Sequence, residues 1–498
     1  MELGTAALRR RIHSSPRYRW WVLWSVLSGF FAVNFSVTAI TLLLPKIRDE
    51  LGTDDATVAW VLLGPLIAFG VVMPFLGKAG DLYGRRRVFL AGMAGATILT
   101  LASAFAPNIW VLIVLRVLMA AEGAATGPTS MALINTAFEP AERVRAMGWW
   151  SFVGPGAPVL GLVAGGWLDA VFSWRAVFLV QVPFCLASFV LAWLVLKEER
   201  EPGQRRLDVA GATLLGTSLV AVLFALNRGP LEGWGWGHPV VATCLVLSPL
   251  AAVGFVFVER RAVEPLIPLE FLRRRNFVAP LVAQFCGNFA YAGAFFVTSI
   301  LLADVYGLSS AESSWVVLWR PLSFALVAPI VGTLATRIGE RPVAVVGSLL
   351  VVASMTVLGF VGPAHGLAPV VLAMVGAGVG LGAVTPAASA TVANSVPDEH
   401  LGVAGAAQQL FLQLGFVAGI QVLQTVQEVA APPDAGPAEL LPSFNTAFLV
   451  GALVALVGVV GSFLMRSYHR AAPIRPAAGG LAEDVEALPS RWSGGRDA

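Results

Sequence analysis

Residues 112–128 read LIVLRVLMAAEGAATGP, an apolar stretch that holds two full charges, Arg116 and Glu122. Glu122 is the one carboxylate that falls near the middle of any long apolar run in the chain. Counted from Asn108 at 1.5 Å per residue it lies ~21 Å in, somewhat past the midplane of a ~30 Å hydrocarbon layer. An ionised carboxylate at that depth is costly, so the group is expected to hold a proton unless a cation or water is near. A carboxyl that loads and releases a proton is the chemistry of a coupled carrier. Structural hydrogen bonding and direct contact with a cationic substrate are the other two readings of Glu122. Arg116 lies ~9 Å away along a helix axis and about 120° around it, so the two cannot form an i,i+4 pair. Arg116 is the second proton-coupling candidate, with a structural tie to neighbouring carbonyls as its alternative.

What must position these residues follows from composition. Of 498 residues, 57% are hydrophobic and 13% charged, with mean hydropathy +0.77. A soluble domain carries roughly 25% charged residues, about twice this share. Apolar runs recur from Trp20 to Met465 with short polar interruptions, the pattern of a polytopic helical membrane protein. The expected fold class is all-α with fourteen spans, at about 20–44, 57–76, 87–106, 109–134, 149–168, 176–196 and 209–227, then 239–258, 277–303, 314–335, 342–362, 367–393, 403–425 and 444–465.

Arginine and lysine collect on one side of these spans, at positions such as Arg9–Arg11, Lys78, Arg85–Arg87, Arg143, Arg205, Arg206 and Arg273–Arg275. The other side holds only Lys46, Arg48, Arg175 and Arg228. Both termini are therefore expected in the cytoplasm. The net charge of +3 gives no reason to expect nucleic acid. Cys185, Cys244 and Cys286 sit inside apolar spans and read as small buried hydrophobes. No phosphate loop of the G-x-x-x-x-G-K-[ST] type occurs, which argues against a fused ATPase, and no cleavable signal peptide is expected. Neither enzyme activity, cofactor nor metal is expected.

Two cytoplasmic turns repeat. GKAGDLYGRRR follows the second span and GTLATRIGER the tenth. Gly77 and Gly84 let the chain reverse and the helices approach, Asp81 can cap the next helix, and Arg85, Arg86 and Arg87 anchor at the leaflet. The second copy retains Gly332, Gly339 and Arg341. Equivalent positions in two halves imply two related six-helix units. The expected division is a tail at 1–19, a first bundle at 20–196, two inserted helices with linkers at 197–276, a second bundle at 277–466 and a disordered tail at 467–498.

With these motifs the chain resembles the major facilitator superfamily, whose signature loop is G-x-x-x-D-x-x-G-R-R, and its fourteen-span drug:proton antiporter branch in particular. Further likeness lies in RVLMAAEGAATGPTSMAL, in LGLVAGGWLDAVFSWRAVFLVQVP, in the linker ERRAVEPLIPLEFLRRRNF and in the glycine ladder GAGVGLG. The resemblance implies two bundles that rock about a midplane cavity. Gly161, Gly165 and Gly166 are the expected hinge or packing points. Asn34, Ser36, Thr38, Gln284, Asn288, Tyr291, Gln409 and Gln413 are the cavity candidates, or else interhelical hydrogen-bonding groups.

The chain departs from the branch in span 1, where Ser36 stands at the usual acid position, and in the second loop, where Thr336 replaces an Asp. Glu122 is the expected replacement proton site. Arg320 reads either as a snorkelling side chain or as an attractor of anionic groups, and seven tryptophans, Trp150 among them, read as interface anchors. The expected partners are a small amphipathic molecule, protons and the bilayer, with the chain a monomer. The expected function is proton-driven export. Open alternatives are a specific exporter or uniporter without protons, a non-transporting sensor and a lipid flippase.

Overall fold

The computed structural model describes residues 2–58, 60–197, 208–229, 235–262, 265, 268–432 and 436–467. Among them every regular element is helical. In chain order these are α1 Glu2–His13, α2 Tyr18–Leu51, α3 Asp55–Val58, α4 Trp60–Tyr83, α5 Arg85–Ala104, α6 Ile109–Ala137, α7 Arg143–Val171 and α8 Trp174–Val195. There follow α9 Val209–Arg228, α10 Pro239–Glu259, α11 Arg275–Asp304, α12 Ser310–Ile338, α13 Glu340–Leu358, α14 Ala368–Ala393, α15 Leu401–Ala430 and α16 Pro437–Leu464. Ten helices among the described residues are long and apolar enough to cross a membrane.

Local chemistry sets several ends. Asn108 accepts a hydrogen bond from Val111 N–H (3.0 Å) and so starts α6. Ser309 and Glu312 form a reciprocal capping box at the start of α12. Gly84 (φ 101°) and Gly339 (φ 91°) make the two repeated turns, a conformation that side chains with a Cβ rarely adopt.

The packing divides the long helices into groups. The first comprises α2 and α4 to α8, where α2 meets α7 and α8, and α6 meets α4 and α5. In the second, α11 to α16 pack on one another, with α11 against α15 and α16, and α14 against α12 and α13. α9 and α10 pair with each other, and α9 reaches α4 and α15. Exposed apolar side chains stand on the outer surfaces, as at Leu250, Val253 and Phe257 of α10. In water so much exposed hydrocarbon would be a liability, and here it faces lipid.

Some boundaries differ from the sequence expectation. The N-terminal tail holds a helix, α1, tied to α8 by the Arg9 guanidinium donating to Trp193 O (2.8 Å) and lying over its indole. The expected spans 403–425 and 444–465 fall short of the helices, since α15 continues to Ala430 and α16 begins at Pro437. Residues 468–498 of the expected tail 467–498, and residues 198–207 of the first expected linker, lie outside the described residues.

Candidate functional site

The first copy of the repeated turn joins the two groups of helices. Asp81, near the end of α4, is 3% exposed. Its Oδ1 accepts from Gly402 N–H (3.0 Å) and its Oδ2 from Val403 N–H (2.9 Å). These are unpaired donors of the first turn of α15, so Asp81 caps a helix of the other half, where the helix dipole also favours a negative charge. Arg85 completes the cluster through Nε (3.0 Å) and a terminal nitrogen (2.8 Å) on Asp81, and donates to Thr136 Oγ1 (2.6 Å) and to Asp398 O. Beside it Arg143 donates to Asp398 Oδ1 (2.7 Å) and to Asn135 O (2.9 Å).

Glycines make this approach possible. A Cβ on Gly77 would lie 2.5 Å from Ala406 Cβ and 2.9 Å from Gly402 O. At the α7–α12 crossing, a Cβ on Gly148 would lie 2.7 Å from Ala328 O, and one on Gly332 would lie 2.8 Å from Val144 O. Gly332 thus serves the same closure from the second half. The rest of the second turn does not: Thr336 donates to Thr333 O (2.7 Å) in its own helix, and Arg341 N–H donates to Ser467 Oγ (3.0 Å). The absence of an acid at Thr336 leaves that turn without an anion to cap the opposite half. Arg86 and Arg87 stand at the same end.

Beyond this closure α7 and α12 part around a cavity of about 620 Å³. Both groups of helices line it, with Phe30, Phe69, Trp150 and Pro158 on one wall and Asn288, Tyr291, Phe295, Phe324 and Phe416 on the other. Asn34, Asn288, Tyr291, Gln409 and Gln413, five of the eight sequence candidates, are in the lining. Asn34 Nδ2 donates to Phe30 O (2.8 Å) and Asn288 Nδ2 to Gln284 O (2.8 Å). Gln284 itself is fully buried and ties α11 to α14 through Thr385 O (3.2 Å). The side chains of Ser36 and Thr38 in α2, and the surroundings of Gly165 and Gly166 in α7, lie outside the described residues. Gly161 lies so close to Phe35 O of α2 that a methyl group there would overlap it.

Trp150 and Arg320 sit differently from a sequence reading, and Glu122 and Arg116 stand off the cavity. Trp150 is no interface anchor: it is 4% exposed, stacks on Phe30 at 4.7 Å and donates Nε1–H to Ser130 Oγ (3.0 Å). Arg320 does not snorkel. Its side chain is fully buried, with Cζ 4.1 Å from the Tyr291 ring centroid and one terminal nitrogen donating to Ala290 O (3.2 Å). The capping box that starts α12 at Ser310 puts Arg320 about 15 Å into the helix, beyond the reach of an arginine to its end.

Glu122 and Arg116 are the third case. Arg116 is 3% exposed and its Nε has no partner among the described residues. Neither residue lines the cavity. Glu122 faces α5, where its carboxyl fills the space that a Cβ on Gly95 would occupy, and Oε2 is buried without a partner among the described residues. Gly95→Ala is therefore expected to displace the carboxyl and destabilise the protein by about 1–3 kcal/mol, the usual cost of overpacking. Thermal unfolding in nanodiscs checks this. The double variant Gly95→Ala/Glu122→Ala should recover most of the loss, since the clash needs both partners.

Known proteins place this architecture. The sequence profile of the Major Facilitator Superfamily matches residues 26–420 and again 280–494. The tetracenomycin C resistance and export protein of Streptomyces glaucescens is 32% identical over 407 residues, 81% of this chain and 75% of that one. The puromycin resistance protein pur8 of Streptomyces alboniger is 31% identical, covering 82% of each chain. In fold, the crystal structure of the human organic anion transporter MFSD10 (TETRAN) aligns with TM-score 0.62 at 19% identity, over 90% of this chain and 100% of that one. The proton:xylose symporter XylE aligns with TM-score 0.61 at 11% identity, over 88% and 94%. With a profile that spans most of its length and relatives alike over four fifths of it, the chain belongs to the major facilitator superfamily.

Proposed function

We propose that this protein is a secondary active exporter of amphipathic small molecules, working by alternating access. The carrying observation is a largely apolar cavity lined by both halves and shut at one end by the Asp81 cluster. Similarity to resistance and export proteins of Streptomyces supports the direction of transport. The arginine bias places the Asp81 end in the cytoplasm, so the described conformation is the outward-facing one. In this reading fourteen spans form two six-helix halves, 20–196 and 277–466, with α9 and α10 inserted between them. The protein works as a monomer in a bacterial inner membrane.

Inward proton movement drives export, and Glu122 carries the proton. A neutral carboxyl is stable in the Gly95 notch, whereas an ionised one there finds no counter-charge among the described residues, so its protonation state acts on the α5–α6 contact. The test uses purified protein in liposomes with an imposed pH gradient, following internal pH and substrate efflux. Wild type should couple the two flows. Glu122→Gln should reduce gradient-driven efflux to the level seen without a gradient, while still binding substrate.

A second reading, transport without protons, is favoured by one specific observation: Glu122 stands off the cavity that substrate would occupy. Efflux that ignores the imposed gradient in both proteins would select it.

A further inference from the structure

The cavity wall contains no carboxylate among the described residues, but a cation lies directly behind it. Arg320 stacks on Tyr291, and Tyr291 in turn meets Phe324 edge to face at 5.9 Å. Both aromatic rings line the cavity, so the guanidinium is separated from it by the thickness of one ring. Of its nitrogens only one terminal group finds an acceptor, Ala290 O; Nε and the other terminal nitrogen are buried without partners among the described residues. An arginine keeps its charge, and a buried charge left half-satisfied is costly unless something completes it. The Tyr291 hydroxyl, polarised by the cation on its ring, likewise has no hydrogen-bond partner among the described residues.

Resting on the exporter reading, we propose that the cavity selects aromatic compounds with an anionic or strongly accepting end, seated at Tyr291 with Arg320 behind it, over lipophilic cations. The acceptor takes the Tyr291 O–H, the Asn288 and Gln413 amides serve further acceptor atoms, and Phe30, Trp150 and Phe324 hold the ring system. Aromatic faces attract cations as well as planar rings, so the sign of the nearby fixed charge decides. Here that charge is positive and shielded from water, where its field is weakly screened. The carboxylates of Asp304 and Glu312 lie exposed at the ends of α11 and α12, where solvent screens them.

The test is equilibrium binding to the full chain in nanodiscs with three probes on one scaffold: anthracene-9-carboxylate, anthracene-9-carboxamide and 9-(aminomethyl)anthracene. The carboxylate should bind about tenfold or more tighter than the ammonium, with the carboxamide between them. Arg320→Gln should bring the carboxylate and ammonium within about threefold of each other, while Arg320→Lys keeps the order. Tyr291→Phe, which removes only the hydroxyl, should weaken the carboxylate and carboxamide about fivefold and leave the ammonium unchanged. If Arg320→Gln fails to fold, the wild-type order and Tyr291→Phe decide. An ammonium that binds as tightly as the carboxylate, a carboxylate that does not bind, or an order untouched by Arg320→Gln overturns the proposal. Flux with a cation-first order sinks this inference alone; an anion-first order without flux sinks the exporter reading alone.

Discussion

Asp81→Asn is expected to cut export by about tenfold or more and to open the Asp81 end of the resting protein. The carboxylate accepts two N–H groups of α15 and two from Arg85 at once. An asparagine keeps the size but turns one of its two acceptor atoms into a donor, which then faces a donor. It also leaves Arg85, 14% exposed, without its counter-ion. Loss of charge-assisted hydrogen bonds at a buried site costs about 3 kcal/mol, which moves a two-state balance by about 100-fold. The bonds to Gly402 and Val403 of the other half exist only when this end is closed, so their cost falls on one state, whereas the Arg85 pair lies within one turn. Accessibility to a soluble maleimide of a cysteine placed at Ala406, 2% exposed and packed against Gly77 in the closure, should rise accordingly. Unchanged accessibility would show that the cluster does not hold the closure.

Gly148→Leu is expected to act more severely, lowering export about 100-fold or more, because it excludes the closed state by volume. The neighbours within reach of the added carbon are backbone atoms of α12, Ala328 O at 2.7 Å and Gly332 and Pro329 Cα at 3.2 Å. Backbone inside a helix cannot rotate aside as a side chain can, so the helices must separate. Substrate counterflow in proteoliposomes measures the loss, and size-exclusion chromatography in detergent separates it from misfolding. A milder Gly148→Ala should fall between the two, since one methyl can be met by a shift of a few tenths of an ångström. Wild-type counterflow in the leucine variant would mean that the α7–α12 crossing never closes tightly during transport.

The sequence reading and the structure agree where information is local. The turn at Gly77, Asp81 and Arg85 was legible because its residue types serve one tight reversal, and hydropathy alone marked the long apolar runs. What Asp81 caps was not legible, since its donors at Gly402 and Val403 are more than three hundred positions away. The cavity list failed on Gln284 for a related reason. A polar residue in an apolar helix announces that it needs a partner, but not which face it occupies, and Gln284 found its partner in α14. The surroundings of Glu122 were not legible either: a count of residues gives distance along an axis, whereas the notch at Gly95 belongs to another helix. Of the two readings of Arg320, snorkelling fails because α12 begins at Ser310, four residues before the expected span. The pair Ser309 and Glu312, spaced as a capping box, held the signal that would have corrected it.

Alternating access is most directly tested by distances across both ends of one molecule. Spin labels at Arg87 and Glu399 report the Asp81 end, and labels at Phe172 and Asp304 the opposite end, in nanodiscs by double electron–electron resonance. Two populations in antiphase are expected. A short distance at the first pair should accompany a long one at the second, the reverse should hold in the other population, and Asp81→Asn should enrich the latter. One unchanging distance at each end, with and without substrate, would contradict it.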